Sequence, residues 1–207
     1  MTSTGSNKLE RPTLTDFLRA NTHFILDPIV ALFARLGISP DALSLLGFLA
    51  HFLFAWLIIQ GYMQWTAAAI FFLASADAVD GALARKIGRI QGGFGAFLDS
   101  TLDRIAEFIL FAGFLIYFYK QGDNWLMAAA YLAVSGSLMV SYARAKAETL
   151  GYTCKVGLLS RVERYVVIFV CLLLNRPDWA VLALAVGAWF TVGQRAVHVW
   201  RQAYARR

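Results

Sequence analysis

The sequence predicts an all-α integral membrane protein, six transmembrane helices preceded by an amphipathic helix at the membrane surface. Three observations predict it. Of 207 residues, 59% are hydrophobic and 15% charged, where soluble domains carry about 25% charged residues. Too few charges remain to cover a water-facing surface, and disorder, which needs low hydrophobicity, is excluded as well. The apolar residues collect into stretches near membrane length, roughly 20 residues each. Finally, the cations are distributed asymmetrically between the two sides those stretches define.

Residues 1–12 read as a polar tail without the apolar core of a signal peptide. Over 13–36, Leu14, Phe17, Leu18, Phe24, Ile25, Ile29, Leu32, Phe33 and Leu36 fall near helical spacing, with Asp16, Arg19, Asp27 and Arg35 between them. That pattern suits a helix lying on the membrane, or packed on the bundle. Residues 37–207 hold the transmembrane domain, with spans at about 42–60, 65–84, 96–118, 124–143, 162–175 and 179–199. The fifth is short and is expected to extend back over 157–161. Gln60-Gly61-Tyr62, Lys120 to Asn124 and Asn175-Arg176-Pro177-Asp178 separate spans with turn-forming residues. Trp56, Trp65, Trp125, Trp179 and Trp189 lie mostly near span ends, as interface anchors do.

Placing both termini, the 2–3 loop and the 4–5 loop on one side gathers there all of the 19 Lys and Arg except Lys120 and Arg176. That side is therefore cytoplasmic. The net charge of +6 reflects topology plus a site on that face, and nucleic acid is not an expected partner. Cys154 and Cys171 are too few for a disulfide framework and read as free thiols.

Five of the 13 acidic residues, Asp77, Asp80, Asp99, Asp103 and Glu107, sit in or beside the second and third spans. A charge at a membrane centre costs about 2.5–3.5 kcal/mol on insertion scales, so such residues are functional candidates. Asp77 and Asp80 share one helix face, as do Asp99, Asp103 and Glu107. Two antiparallel helices joined by Arg85-Lys86-Ile87-Gly88-Arg89 would bring the four aspartates together near the cytoplasmic side. Protons or cations must then neutralise them, and an all-carboxylate set suits Mg²⁺ or Mn²⁺. Helix-end charges paired with Arg85, Lys86 and Arg104 are the bland alternative. Gly81, Ala84, Gly92, Gly93 and Gly95 leave room for a ligand, or for close helix packing. Intramembrane carboxylates also mark cation transporters, but these cluster at one face beside an Arg-bearing loop, which favours an enzyme.

The run Asp77-x2-Asp80-Gly81-x2-Ala84-Arg85, then Gly95-x3-Asp99-x3-Asp103, resembles the signature of the CDP-alcohol phosphotransferase (CDP-alcohol phosphatidyltransferase) family. All eight fixed residue types are present; nine residues rather than eight separate Arg85 from Gly95. The resemblance implies transfer of a phosphatidyl-type group from a CDP-alcohol, such as CDP-diacylglycerol, to an acceptor hydroxyl with release of CMP. It implies two divalent ions, Mg²⁺ or Mn²⁺, on Asp77, Asp80 and Asp99. Asp103 would be the general base and could also touch a metal. It places Gly81, Ala84, Arg85 and Gly95 against the nucleotide, with Asp41 and Ser44 of Ser39-Pro40-Asp41-Ala-Leu-Ser44 beside them. Asp41 is equally well read as an N-cap. Glu107, outside the signature, reads as a supporting or salt-bridge group. Members are commonly homodimers, which implies a dimer here.

The acceptor is read from cations. Ser141, Arg144, Lys146, Lys155, Arg161, Arg164 and Arg195 gather near the cytoplasmic face, where they could bind lipid headgroups or grip a phosphorylated acceptor. The pattern Ser141-Tyr-x-Arg144-x-Lys146-x-Glu148, Arg161-x-Glu163-Arg164 and Gln194-Arg195 is similar to that of phosphatidylinositol-phosphate and archaetidylinositol-phosphate synthases. It implies inositol phosphate as acceptor, held by Ser141, Arg144, Lys146, Arg161, Arg164 and Arg195. Ser160 stands where those enzymes usually carry Glu. Glycerol 3-phosphate or another polar headgroup is the alternative acceptor. His51 reads as a core histidine with its hydrogen bonds satisfied.

Overall fold

The computed structural model describes residues 40–72 and 93–205, and among these every regular element is a helix. In chain order they are α1 (Pro40–Ile59), α2 (Met63–Phe72), α3 (Phe94–Gln121), α4 (Asn124–Thr149), α5 (Arg161–Leu173) and α6 (Pro177–Ala205). The tail, the expected surface helix and the motif residues Asp77, Asp80, Gly81, Ala84 and Arg85 lie outside the described residues, as do the side chains of Asp41 and Ser44. Helices α4 and α6 are long and apolar enough to cross a membrane, as expected of a membrane protein.

The helix ends follow from turn chemistry. Gly61, Gly122 and Gly151 adopt left-handed backbone at φ 81, 73 and 78°. In each, the following amide reaches back to close the last turn, as in Tyr62 N to Leu57 O at 2.9 Å and Asp123 N to Phe118 O at 3.1 Å. Asn175, at φ 56°, ends α5 in the same way, and Pro177 then opens α6. The Asp123 carboxylate accepts from the Leu126 amide at 2.9 Å and caps α4.

The core runs through Phe54, Ile58, Leu110, Phe111, Phe114, Ala133, Ile168, Leu172, Val181 and Leu184. Small residues set how closely the helices approach. A Cβ at Gly113 would stand 2.8 Å from the Ala55 Cα, so α3 rests directly on the α1 backbone. Gly136 likewise admits Ala188 and Trp189 of α6 against α4.

Two features differ from the sequence expectation. Helix α4 continues to Thr149, so the basic row from Ser141 to Glu148 is helical and not part of a loop. Residues 152–160 carry no helix, so α5 does not extend backward over 157–161. The reason is a polar face on α6. Thr191 Oγ1 accepts from Leu159 N at 3.0 Å, Gln194 Oε1 from Leu158 N at 3.0 Å, and Gln202 Oε1 from Thr153 N at 3.1 Å. These bonds satisfy backbone donors that a helix would otherwise satisfy.

Candidate active site

Among the described residues, the side chains singled out by charge and motif lie toward one end of the bundle. It is formed by the first turns of α3 and α5, the last turns of α4 and the C-terminal half of α6. Gly95, Asp99 and Asp103 lie in the first three turns of α3, with Asp99 exposed and Asp103 partly buried. They stand one turn apart on one face. Among the described residues no three His, Cys, Asp or Glu come close enough to hold a metal. The complete candidate set requires Asp77 and Asp80. The donor chemistry, carboxylate oxygens only, fits a hard divalent cation.

Two ion pairs join α3 to α5. Arg161 Nη1 donates to Asp103 Oδ2 at 2.6 Å, with Arg104 Nη2 3.8 Å from the same oxygen. One turn further along both helices, Arg164 meets Glu107 in a two-pronged contact, Nε to Oε1 at 2.8 Å and Nη2 to Oε2 at 3.2 Å. Arg164 Nη1 also donates to Leu159 O at 3.2 Å. Arg164 and Glu107 are 1% and 3% exposed, so all three guanidinium nitrogens are spent on protein acceptors away from water. The two helices run in the same direction, and the pairs form successive rungs between them.

The remaining cations differ in access. On α4, Arg144 is exposed and its Nε donates to Glu148 Oε1 at 2.8 Å, while Lys146 is exposed and Ser141 half-buried. Lys155 is exposed on the connecting loop. Arg195 is 4% exposed. Its Nε donates to Val156 O at 3.0 Å and its Nη1 to Val140 O, so it ties the loop to both α4 and α6. Gly157 permits that docking, since a Cβ there would lie 2.5 Å from Thr191 Cγ2 and 3.4 Å from Arg195 Nε. Cys154 is buried in the same loop, and burial pushes its thiol pKa up, away from reactive thiolate character.

Sequence reasoning missed a polar connection behind this end. His51 of α1 is buried, its Nδ1 is 2.8 Å from Gly47 O and its Nε2 is 2.8 Å from the Tyr165 hydroxyl of α5. The Arg161 guanidinium lies 5.9 Å from the Tyr165 ring centre. A signal was present: Tyr165 follows Arg161 by one turn. Nothing in a single sequence pairs it with a histidine 114 residues away.

An all-helical bundle with carboxylates and guanidinium groups toward one end can hold divalent cations and charged phosphate esters. The CDP-alcohol phosphatidyltransferase family model matches residues 37–196, and the chain belongs to that family. It is a transferase of phospholipid biosynthesis. Relatives include the phosphatidylinositol phosphate synthase of Streptomyces avermitilis, 35% identical over 91% of this chain and 83% of that one. The archaetidylinositol phosphate synthase of Pyrococcus horikoshii is 36% identical over 82% of this chain and 88% of that one. The phosphatidylinositol phosphate synthase of Mycobacterium tuberculosis, solved with CDP-DAG bound, superposes with a TM-score of 0.75 at 29% identity, covering 86% of this chain and 94% of that one. The same protein in complex with manganese and citrate gives a TM-score of 0.76 at 30% identity, covering 84% and 88%.

Proposed function

We propose that this protein transfers the phosphatidyl-type group of a CDP-lipid to a hydroxyl of inositol phosphate and releases CMP. One observation carries the reading. Among the described residues the cation nearest the candidate base is Arg161, which lies 2.6 Å from Asp103 and so is within reach of a phosphate beside the reacting hydroxyl. The kinship with two inositol phosphate-named synthases supports it.

In this reading Asp77, Asp80, Asp99 and Asp103 hold two divalent ions, Mg²⁺ or Mn²⁺; the manganese complex of the mycobacterial synthase supports the metal class. Bound there, the ions neutralise pyrophosphate oxygens. Asp41, Ser44, Gly81, Ala84, Arg85 and Gly95 seat the cytidine nucleotide. Arg144, Lys146 and Arg161, which reach solvent, make the first grip on the acceptor phosphate, with Ser141 beside them. Arg164 backs Arg161 from within the bundle, and Arg195 holds the loop in place behind the acceptor side and adds its positive charge there. Turning Arg161 onto the acceptor phosphate breaks its hydrogen bond to Asp103 Oδ2. Asp103 then takes the hydroxyl proton as the acceptor oxygen attacks the lipid-side phosphorus. The bond from that phosphorus to the bridging oxygen breaks, and CMP leaves with the oxygen.

The wider frame is six spans following a tail at 1–12 and a surface helix at 13–36, with residues 37–207 as the catalytic domain. We place it in the cell membrane as a homodimer, with both termini and the site on the cytoplasmic side.

The test is CMP release by purified protein with CDP-diacylglycerol and Mg²⁺, offering inositol phosphate, glycerol 3-phosphate, inositol and serine in parallel. Release with inositol phosphate alone, abolished by chelator and recovered with Mn²⁺, is the expected result. Release with glycerol 3-phosphate alone would replace the acceptor, and silence with all four would remove the reading.

A further inference from the structure

We infer that Tyr165 is a positioning residue for the acceptor side of this reaction, acting through Arg161 and itself oriented by His51. The inference rests on the proposed role of Arg161 as a grip on the acceptor phosphate.

The contacts form a continuous line from α1 to the site. A carbonyl oxygen only accepts, so His51 Nδ1 carries a proton and donates it to Gly47 O at 2.8 Å. In the neutral ring Nε2 is then an acceptor, and the Tyr165 hydroxyl donates to it at 2.8 Å. Both bonds lie in or against the apolar core, beside Phe54, whose ring centre is 5.1 Å from that of His51. The phenol is therefore held at its far end, and its ring cannot swing about χ1 without breaking a bond in a water-poor setting. Over that fixed ring stands Arg161, at a distance where a guanidinium is still attracted to the ring's π-face.

A structural tie alone would explain a His–Tyr bond between helices. What points to the reaction is the third contact, because the cation on the ring is the one that reaches Asp103. A guanidinium that must pass between a carboxylate and an incoming phosphate needs a rigid surface beneath it. Lacking that surface, it spends its time in unproductive rotamers and grips the acceptor less well.

The test compares full-length protein in lipid vesicles: wild type, Tyr165→Phe, His51→Leu, Arg161→Gln and the double variant Tyr165→Phe/Arg161→Gln. Separate KM and kcat values are measured for inositol phosphate and for CDP-diacylglycerol, together with Tm. Tyr165→Phe keeps the ring and removes only its tether. It should raise the acceptor KM about five- to tenfold and leave the CDP-lipid KM unmoved, with Tm lowered only by the few degrees that one unpaired His51 acceptor costs. His51→Leu should raise the acceptor KM by a similar factor. In the Arg161→Gln background Tyr165→Phe should cost less than about twofold, because the group it positions is gone. An unchanged acceptor KM in Tyr165→Phe overturns the inference, and so does an equal penalty in both backgrounds or a parallel rise of both KM values with a falling Tm. If Arg161→Gln itself leaves the acceptor KM unchanged, the reading of Arg161 as phosphate grip fails, and this inference fails with it.

Discussion

Two carboxylate–guanidinium pairs stand one turn apart between α3 and α5, built from the same chemistry and exposed to different surroundings. In the outer pair the Arg161 and Asp103 side chains are 38% and 17% exposed; in the inner pair Arg164 and Glu107 are 1% and 4% exposed. Water can replace either partner of the outer pair, so that contact can be exchanged for metal or phosphate at small cost. Nothing can replace a partner of the inner pair, whose separation would leave a buried charge. The outer rung is suited to turnover and the inner rung to holding α5 in register beneath it.

Asp103→Asn should have the largest effect. It should lower turnover by about 10²–10⁴-fold, the usual worth of a general base, and leave Tm nearly unchanged. A large fall in Tm instead would mean that the outer rung is structural too, and the contrast would collapse. Next comes Glu107→Ala, which strands Arg164 in the core. It should destabilise the protein by about 3–5 kcal/mol in thermal unfolding, and Glu107→Leu/Arg164→Met should recover most of that loss. No recovery would show that the inner pair does more than hold the helices.

A smaller effect is expected at Gly157, whose φ of 137° and 2.5 Å approach to Thr191 leave no place for a Cβ. Gly157→Ala should cost about 1–3 kcal/mol and shift the loop that leads into the outer rung, seen as a raised acceptor KM. The smallest effect belongs to the opposite end of the molecule. There Arg176 contacts Asp178 at 2.8 Å, ahead of the expected span at 179–199. The hydrogen bond from Arg176 holds the Asp178 carboxyl below its usual range. Its stabilisation is therefore present above the ordinary carboxylate pKa and lost as pH falls through the lowered value. Asp178→Asn should change Tm by less than about 1 °C at pH 7, and the difference should vanish in acid. A large change would mean that exposure alone does not separate weak pairs from strong ones here.

Much of the fold was legible because its signals are local. Gly61, Gly122 and Asn175 stand where left-handed backbone closes a helix, and such residues announce a helix end by sequence alone, whereas the end at Gly151 was not anticipated. The face shared by Asp99, Asp103 and Glu107 follows from helical period. The course of residues 152–160 was not legible, since Leu158 and Leu159 look like the start of an apolar span. The side-chain oxygens of Thr191, Gln194 and Gln202, more than thirty residues away, accept from its backbone amides and hold that stretch out of a helix.

The sequence by itself determined that the chain is helical, membrane-class and equipped with acidic and basic groups for phosphate-ester chemistry, because composition and period act over a few neighbouring residues. It could not rank the arginines. Arg161 and Arg164 share a motif, a charge and a helix, and spacing treats them alike. Tertiary structure decided that one faces water beside Asp103 and over Tyr165 while the other is sealed against Glu107. The physical reason is dielectric: what a charge can do depends on the water around it, and access to water is set by how the helices pack.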